Sequence, residues 1–449
     1  MEGGFTMIGN WMDDVQKTRR ALRSNLLETV LNEFDARIIG LNHEKRKHKY
    51  RQMTENPFRF FRGSAYLFYY DVTKIPFSFH TPDDKPTWIQ GDMHVENFGA
   101  FQNSEGDLVY DANDFDEGYL GSYVYDLLRM TVSIALYCEQ YGFDNAEERM
   151  HVFLESYYKQ LNMFVKGKED PVTFFYTTKN TKGPIRKVLK KLEKRDSARL
   201  LERWTVQEDA TRVFELSSEF VQVTQKEREK IEAVWPEYID SLDAEDRKKS
   251  AFYAIKHIVR KHGSGTASIG LDRYYILIEG QQDCDQQMDD IILEMKEVRA
   301  PVPAYFVPYN EEFWAKYSHQ GERVVTTQKA MHHHDDPLLG YVTIDDRHFY
   351  VRERSPYKKR VKPEDIENEK EFDQVLDVYG GIAAKIHARA DADVEDALLS
   401  YHSEGEILNA IGDDYDAFAA QLVFLSKAYK EQVKQDYVLF CGWLNYKFT

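Results

Sequence analysis

The spacing of apolar residues changes period twice along this chain, and those changes limit what it can fold into. From Trp11 to Leu41 the apolar positions Leu22, Leu26, Leu27, Val30, Leu31, Phe34 and Ile38 recur at intervals of three and four, as one face of a long helix requires. NPFRFFRGSAYLFYYDV (Asn56 to Val72) predicts a second apolar helix, with Pro57 in its first turn. From Tyr123 to about Arg260 the pattern is almost wholly helical. Then it changes: GSGTASIGLDRYYILIEG and DDIILEMKEVRAP are rich in Tyr, Ile and Val with glycine punctuation, which predicts strands. A helix candidate spans Arg323 to His333, and GYVTIDDRHFYVRERSP sets Asp345-Asp346 between two β-rich runs, the mark of a hairpin. EFDQVLDVYGGIAAKIHARA and GDDYDAFAAQLVFLSKAYKEQV return to helix. A β-rich unit of roughly 90 residues therefore interrupts a mainly helical chain, an α+β organisation. The expected division is 1–260, mainly helical; 261–356, β-rich; and 357–449, helices that complete the first unit.

Composition excludes several classes of function. Lys+Arg number 59 against Asp+Glu 76, and the net charge of −17 repels nucleic acid and anionic membrane surfaces. Hydrophobic residues at 42% and aromatics at 14% supply more apolar area than a disordered chain has. No apolar run approaches the length of a membrane span, and the start has no apolar stretch behind a basic end, so neither membrane insertion nor secretion is expected. Cys138, Cys284 and Cys441 are scattered and odd in number, which suits a reducing cytoplasm rather than a disulfide framework.

The chemistry concentrates in one polar stretch. After a short strand at Trp88 to Gln90, Gly91-Asp92-Met93-His94-Val95-Glu96-Asn97 fits no helix or strand face and reads as a loop. A second short strand in LVYDANDFDEGYLG then leads to Asp114-Phe115-Asp116. Oxygen-bearing side chains at that spacing can orient a hydroxyl and hold a hard divalent cation, because Mg²⁺ takes one or two carboxylates together with phosphate oxygens and water. The plainer alternative is that these residues cap turns.

Gly265-Thr266-Ala267-Ser268-Ile269-Gly270 leads into the strand Tyr274 to Ile278. A dinucleotide fingerprint would precede a helix, and a Walker loop would end in Gly-Lys-Ser/Thr, so the remaining reading is a glycine-rich β-turn over phosphates. About twenty residues on, Lys296 lies inside an apolar strand, where a buried ammonium needs an anionic partner; nucleotide phosphates would be one. The alternative is an edge strand on which Lys296 faces solvent beside Glu294 and Glu297.

Several stretches together carry a resemblance: NPFRFFRGSAYLFYYD, QGDMHVENFGAF, VYDANDFDEGYLGSYVYDLLR, GTASIGLDRYYILIEG, EMKEVRAP, FYVRERSP and IAAKIHARADAD. Over most of its length the sequence resembles the bacterial domain-of-unknown-function family 2252, which belongs among protein-kinase-like and aminoglycoside-phosphotransferase-like folds. GDMHVENFG, NDFDE and YDLL are similar to the GD-x-H-x-x-N, D-F/W-x-D and YDL series of small-molecule kinases. The resemblance implies a bilobal, circularly permuted protein-kinase-like fold, with a small β-rich nucleotide lobe inserted after a mainly helical catalytic lobe. It further implies Asp92 as catalytic base, Asn97, Asp114 and Asp116 around Mg²⁺, Gly265, Ala267, Ser268 and Gly270 over the nucleotide, and Lys296 on its α/β-phosphates. ATP and Mg²⁺ are the expected cofactors, and an unidentified hydroxyl-bearing small molecule or protein is the acceptor. Ala267 replaces a loop glycine, and the helix glutamate that would pair Lys296 has only Glu322 and Gln328 as substitutes.

Other activities fit the same residues less well. Nucleotidyl transfer would need the nucleotide turned around. A two-metal phosphohydrolase on Asp92, His94, Asn97 and Asp114 would need further histidine ligands, such as a G-N-H motif, which the sequence lacks. A binding module without catalysis has no evident reason to keep Asp92, Asn97, Asp114 and Lys296 together. His332-His333-His334 and the basic stretch Lys182 to Arg195 read as structural or solvated. Asp126, in the first turn of its helix, is expected to brace the catalytic loop.

Overall fold

The long N-terminal helix α1 (Gly4–Leu31) passes into a π-helical turn, Asn32–Ile38, and its buried face carries Leu27, Val30, Leu31 and Phe34. The structure is a computed structural model that describes residues 4–195, 198–209, 211–262, 270–281, 289–394 and 398–448. Helix α2 (His43–Met53) is capped by Asn42, and α3 (Pro57–Gly63) by Asn56 with Pro57 at the first helical position. The expected single helix over Asn56 to Val72 is in fact two, because Gly63-Ser64 interrupts it: Ser64 leaves helical geometry, its hydroxyl donates back to the Phe60 carbonyl at 2.7 Å, and α4 (Ala65–Val72) restarts.

Two small antiparallel ladders come next in the chain: β1 (Thr87–Ile89) pairs with β4 (Tyr119–Gly121), and between them β2 (Phe98–Gln102) pairs with β3 (Leu108–Ala112). Helices α5 (Tyr123–Tyr141), α6 (Ala146–Val165), α7 (Gly183–Leu192) and α8 (Arg199–Trp204) succeed them. The helical reading of Tyr123 to Arg260 holds to Trp204 and again from Gln225 to Ser241, and fails between and after those stretches. Strands β5 (Thr205–Glu208), β6 (Thr211–Phe214) and β7 (Phe220–Gln222) precede α9 (Gln225–Ser241) and β8 (Ile255–Lys261). Val206, Gln207 and Glu208 are exposed, so these short strands lack the apolar alternation that would have marked them.

The chain continues through β9 (Arg273–Ile278), β10 (Ile291–Val298), α10 (Glu311–Lys316), α11 (Gln320–Met331), β11 (Gly340–Ile344) and β12 (Arg347–Glu353). It closes with α12 (Glu369–Arg389), α13 (Ser403–Ile411) and α14 (Tyr415–Lys447). One six-stranded antiparallel sheet runs β11-β12-β10-β9-β8-β7. Asp345 and Asp346, at φ of 50° and 60°, make the two-residue hairpin turn between β11 and β12.

The sheet is buried on both faces, which explains the unbroken apolar run in β9. Ile276 and Ile278 pack with Trp235 and Tyr238 of α9, while Tyr275 and Leu277 face Leu201 and Phe220. The larger core joins the helices to β1–β4 and extends to Val298, Val324 and Tyr350, so helical elements and sheet meet along β10, α11 and β12. Among the described residues no helix is long and apolar enough to cross a membrane.

Candidate active site

The loop between β1 and β2 hangs on one face of α5. Asp126, Arg129 and Ser133, spaced by three and four residues, all reach it. Asp126 accepts from the backbone N–H of Gln90 at 2.6 Å and of Gly91 at 2.9 Å, and Ser133 Oγ accepts from Val95 N at 2.9 Å. Behind Asp126 stands His387 of α12, whose Nε2 lies 3.2 Å from Asp126 Oδ2 and whose Nδ1 lies 2.9 Å from the Tyr157 hydroxyl. Asp126 therefore braces the loop, the role its position in the first turn led one to expect.

Arg129 is wholly buried, its guanidinium 4.4 Å from the Phe61 ring centre and 5.2 Å from that of Phe68, and its Nε donates to Asp92 Oδ1 at 2.5 Å. Asp92 is thus oriented from below by a cation that cannot leave. Burial pushes the Asp92 carboxyl above its ordinary range, against the pull of Arg129. Asn97 turns its amide nitrogen back to the Asp92 carbonyl at 2.9 Å, which leaves the amide oxygen as the atom with lone pairs to offer. The Asn97 carbonyl accepts from Asn113 N at 3.0 Å, so the end of the loop lies beside the residue that precedes Asp114. Gly91, at φ +86°, faces the Glu117 carbonyl so closely that a Cβ would fall 2.1 Å from that oxygen.

Lys296 lies on β10 between β9 and β12, so it belongs to a central strand and not to an edge. Its ammonium is buried, forms an ion pair with Asp116 and stands 3.9 Å from Asp114 Oδ1. Burial opposes the charge, yet Asp116, Tyr350 and Asp114 together hold Lys296 above the ordinary lysine range. Burial likewise works to raise Asp114, but Lys296 and Arg352 carry it below the usual carboxylate value. Two residues earlier on the same strand face, Glu294 pairs with Arg273 at 3.2 Å and Arg352 at 3.0 Å.

The expected partners for Lys296 on the helix do not fill that role. Glu322 interacts with Tyr341, and Gln328 donates to Asp335 at 2.9 Å. Helix α11 contributes the buried Arg323 instead, whose guanidinium donates to the carbonyls of Asp116 at 2.7 Å, Gly118 at 2.8 Å and Arg299 at 3.1 Å. The far end of α11 is tied to α12, where Lys385 reaches the Met331 carbonyl at 2.5 Å and Asp111 at 2.6 Å, and Arg389 reaches the carbonyls of Lys329 and Ala330.

Asp92, Asp114, Asp116 and Glu117 line one cavity of about 90 Å³, closed by Phe34 and Ile38 of the π-helical turn and by Arg299 and Tyr305. A second cavity, of about 200 Å³, is lined by Asn113, Phe115, Glu294, His332, Arg352 and Lys358. Of the glycine segment, Gly270 is seen at φ +99° against Leu41; Gly265, Ala267 and Ser268 lie outside the described residues. The structure thus brings Asp92, Asp114, Asp116 and Lys296 together, with Asn97 bonded to the same loop. Sequence reasoning missed Arg129, Glu117 and Arg323. Only Arg129 had a signal, its spacing of three from Asp126 on a helix face.

The profile of a family described as an uncharacterized protein conserved in bacteria (DUF2252) matches residues 42–442. No curated protein and no solved structure matches the chain.

Proposed function

We propose that this chain, which belongs to the bacterial family DUF2252, is an ATP- and Mg²⁺-dependent phosphotransferase of circularly permuted, protein-kinase-like organisation. The observation that carries the reading is the meeting of Asp92, Asp114 and Asp116 around one cavity, with Lys296 paired to Asp116 at its wall. Strand order supports it. β8, β9 and β10 are successive antiparallel neighbours, Lys296 sits on the third, and α11 comes before β11 and β12. A kinase nucleotide lobe likewise carries its phosphate-binding lysine on the third strand, ahead of a helix.

The residues present fit a hard cation. Asp114 Oδ1 and Asp116 Oδ1 are buried without a hydrogen-bond partner, and anionic oxygens of that kind are what Mg²⁺ takes. Asp114, Asp116 and the Asn97 oxygen would hold the ion, which when bound neutralises phosphate charge. Lys296 binds phosphate oxygens as a fixed cation. Asp92, immobilised by Arg129, accepts the proton of an acceptor hydroxyl, and its raised affinity for protons suits a general base. Glu294, Arg352 and Lys358 surround the remaining room on the sheet side.

The test is transfer of label from ATP to a bacterial metabolite and protein extract, with and without EDTA. Labelled acceptor that depends on metal and on Asp92 supports the proposal. Inorganic phosphate alone would make the protein a hydrolase, and no product at millimolar ATP would reject catalysis.

A further inference from the structure

Away from this site, at the junction of α12 and α13, three potential metal ligands converge. Asp391 lies just past the last turn of α12, His402 is the residue before α13, and Glu404 lies in the first turn of α13. One ligand atom from each falls within 4.8 Å of the others. Asp393 adds a carboxylate oxygen 3.6 Å from His402 Nδ1, and Asp391 Oδ1 stands 3.9 Å from the same nitrogen.

Part of this cluster has an ordinary explanation. Asp391 accepts from the backbone N–H of Ser403 at 2.5 Å and of Asp393 at 3.1 Å, so it caps α13. Glu404 has none. It is 7% exposed, and its Oε2 is buried without a hydrogen-bond partner, in contact distance of a second buried carboxylate. Among the described residues the only cationic group within ion-pair distance of Asp391 is His402, and Glu404 has no such group.

We propose that Asp391, His402 and Glu404, with Asp393 beside them, bind a divalent transition-metal ion of the zinc class that staples α12 to α13. An imidazole among carboxylates selects zinc-like ions over Mg²⁺ or Ca²⁺, which prefer oxygen alone. Tetrahedral ligand bonds of about 2.1 Å put neighbouring ligand atoms about 3.4 Å apart, so the cluster closes by up to about 1.4 Å on binding. His402, its side chain 60% exposed, is free to make that movement and leaves a side open for water. The capping N–H groups hold the Asp391 carboxylate in orientation, as hydrogen bonds behind a metal ligand do. Because α12 also carries His387 and Arg389, the ion would steady the helix from which the catalytic loop and α11 are held.

The experiment uses the full chain, stripped of metal and kept in excess Mg²⁺ so that the Asp114 site does not compete. Zn²⁺ titrated by calorimetry binds at one equivalent, and His402→Gln, a change at an exposed position, weakens it by about tenfold or more. Co²⁺ in place of Zn²⁺ gives a visible spectrum that changes in His402→Gln. Glu404→Gln, which keeps the volume and removes a ligand charge, loses with Zn²⁺ the upward shift in melting of about 2 °C or more that the wild type gains. No saturable Zn²⁺ binding, or equal binding by wild type and both variants, would each overturn the site.

Discussion

Lys296 and Asp116, 180 residues apart in sequence, form a partly buried ion pair where the six-stranded sheet meets the turn after β3. Their side chains are 4% and 18% exposed, so the ammonium depends on the carboxylate more than on water. Removing one partner of such a pair strands the other. Lys296→Met should therefore cost about 3 kcal/mol of stability in urea unfolding, whereas Lys296→Met with Asp116→Asn should cost less than the sum of the two single changes. Strict additivity would show that the two charges do not depend on each other.

Under the proposed function, Asp92→Asn lowers turnover by about 10²- to 10⁴-fold with ATP affinity kept, since the amide cannot take the acceptor proton. Asp114→Asn acts at a different step. It removes a metal oxygen, and calorimetry should show ATP binding that no longer responds to Mg²⁺. Asp92→Asn at full turnover would mean that another group accepts the proton.

Glu117 gives the cavity a pH dependence. Burial raises its carboxyl to about 7, although a backbone N–H from Val302 opposes the rise. A carboxyl raised on folding binds its proton more tightly in the native state. Stability is therefore lost as pH climbs from the unfolded value of 4.5 to about 7, and the loss is complete above that. Glu117→Gln should be as stable as the wild type at pH 4 and more stable by about 3 kcal/mol above pH 7. Denaturant titrations at the two pH values check this, and an equal difference at both would exclude Glu117 as the source.

Gly91 permits the close approach of the Gly91–Asn97 loop to the Asp114–Glu117 turn. With φ at +86° and the Glu117 carbonyl 2.1 Å from where a Cβ would stand, Gly91→Ala must move backbone against backbone. The expected cost exceeds about 1–2 kcal/mol, and activity should fall further than stability because Asp92 is the next residue. Thermal melts beside the transfer assay separate the two effects.

Local interactions were legible in the sequence. The β11–β12 hairpin is signalled by adjacent aspartates, the start of α3 by Pro57, and the loop from Gly91 to Asn97 by polar residues that suit no regular face, because in each case the deciding partners lie within a few residues. The family was legible too, since its motifs are runs of neighbouring residues. Tertiary structure alone decided the rest. Asp116, and not a residue of α11, pairs Lys296; Arg323 clamps the carbonyls of Asp116 and Gly118; and Glu404 meets Asp391 across a helix junction. Strands β5 to β7 also escaped notice, because most of their side chains are polar or exposed and leave no apolar period. Ion pairs and buried carboxylates of this kind are set by where distant segments are packed, and a charge carries no mark in the sequence of the partner that burial will force upon it.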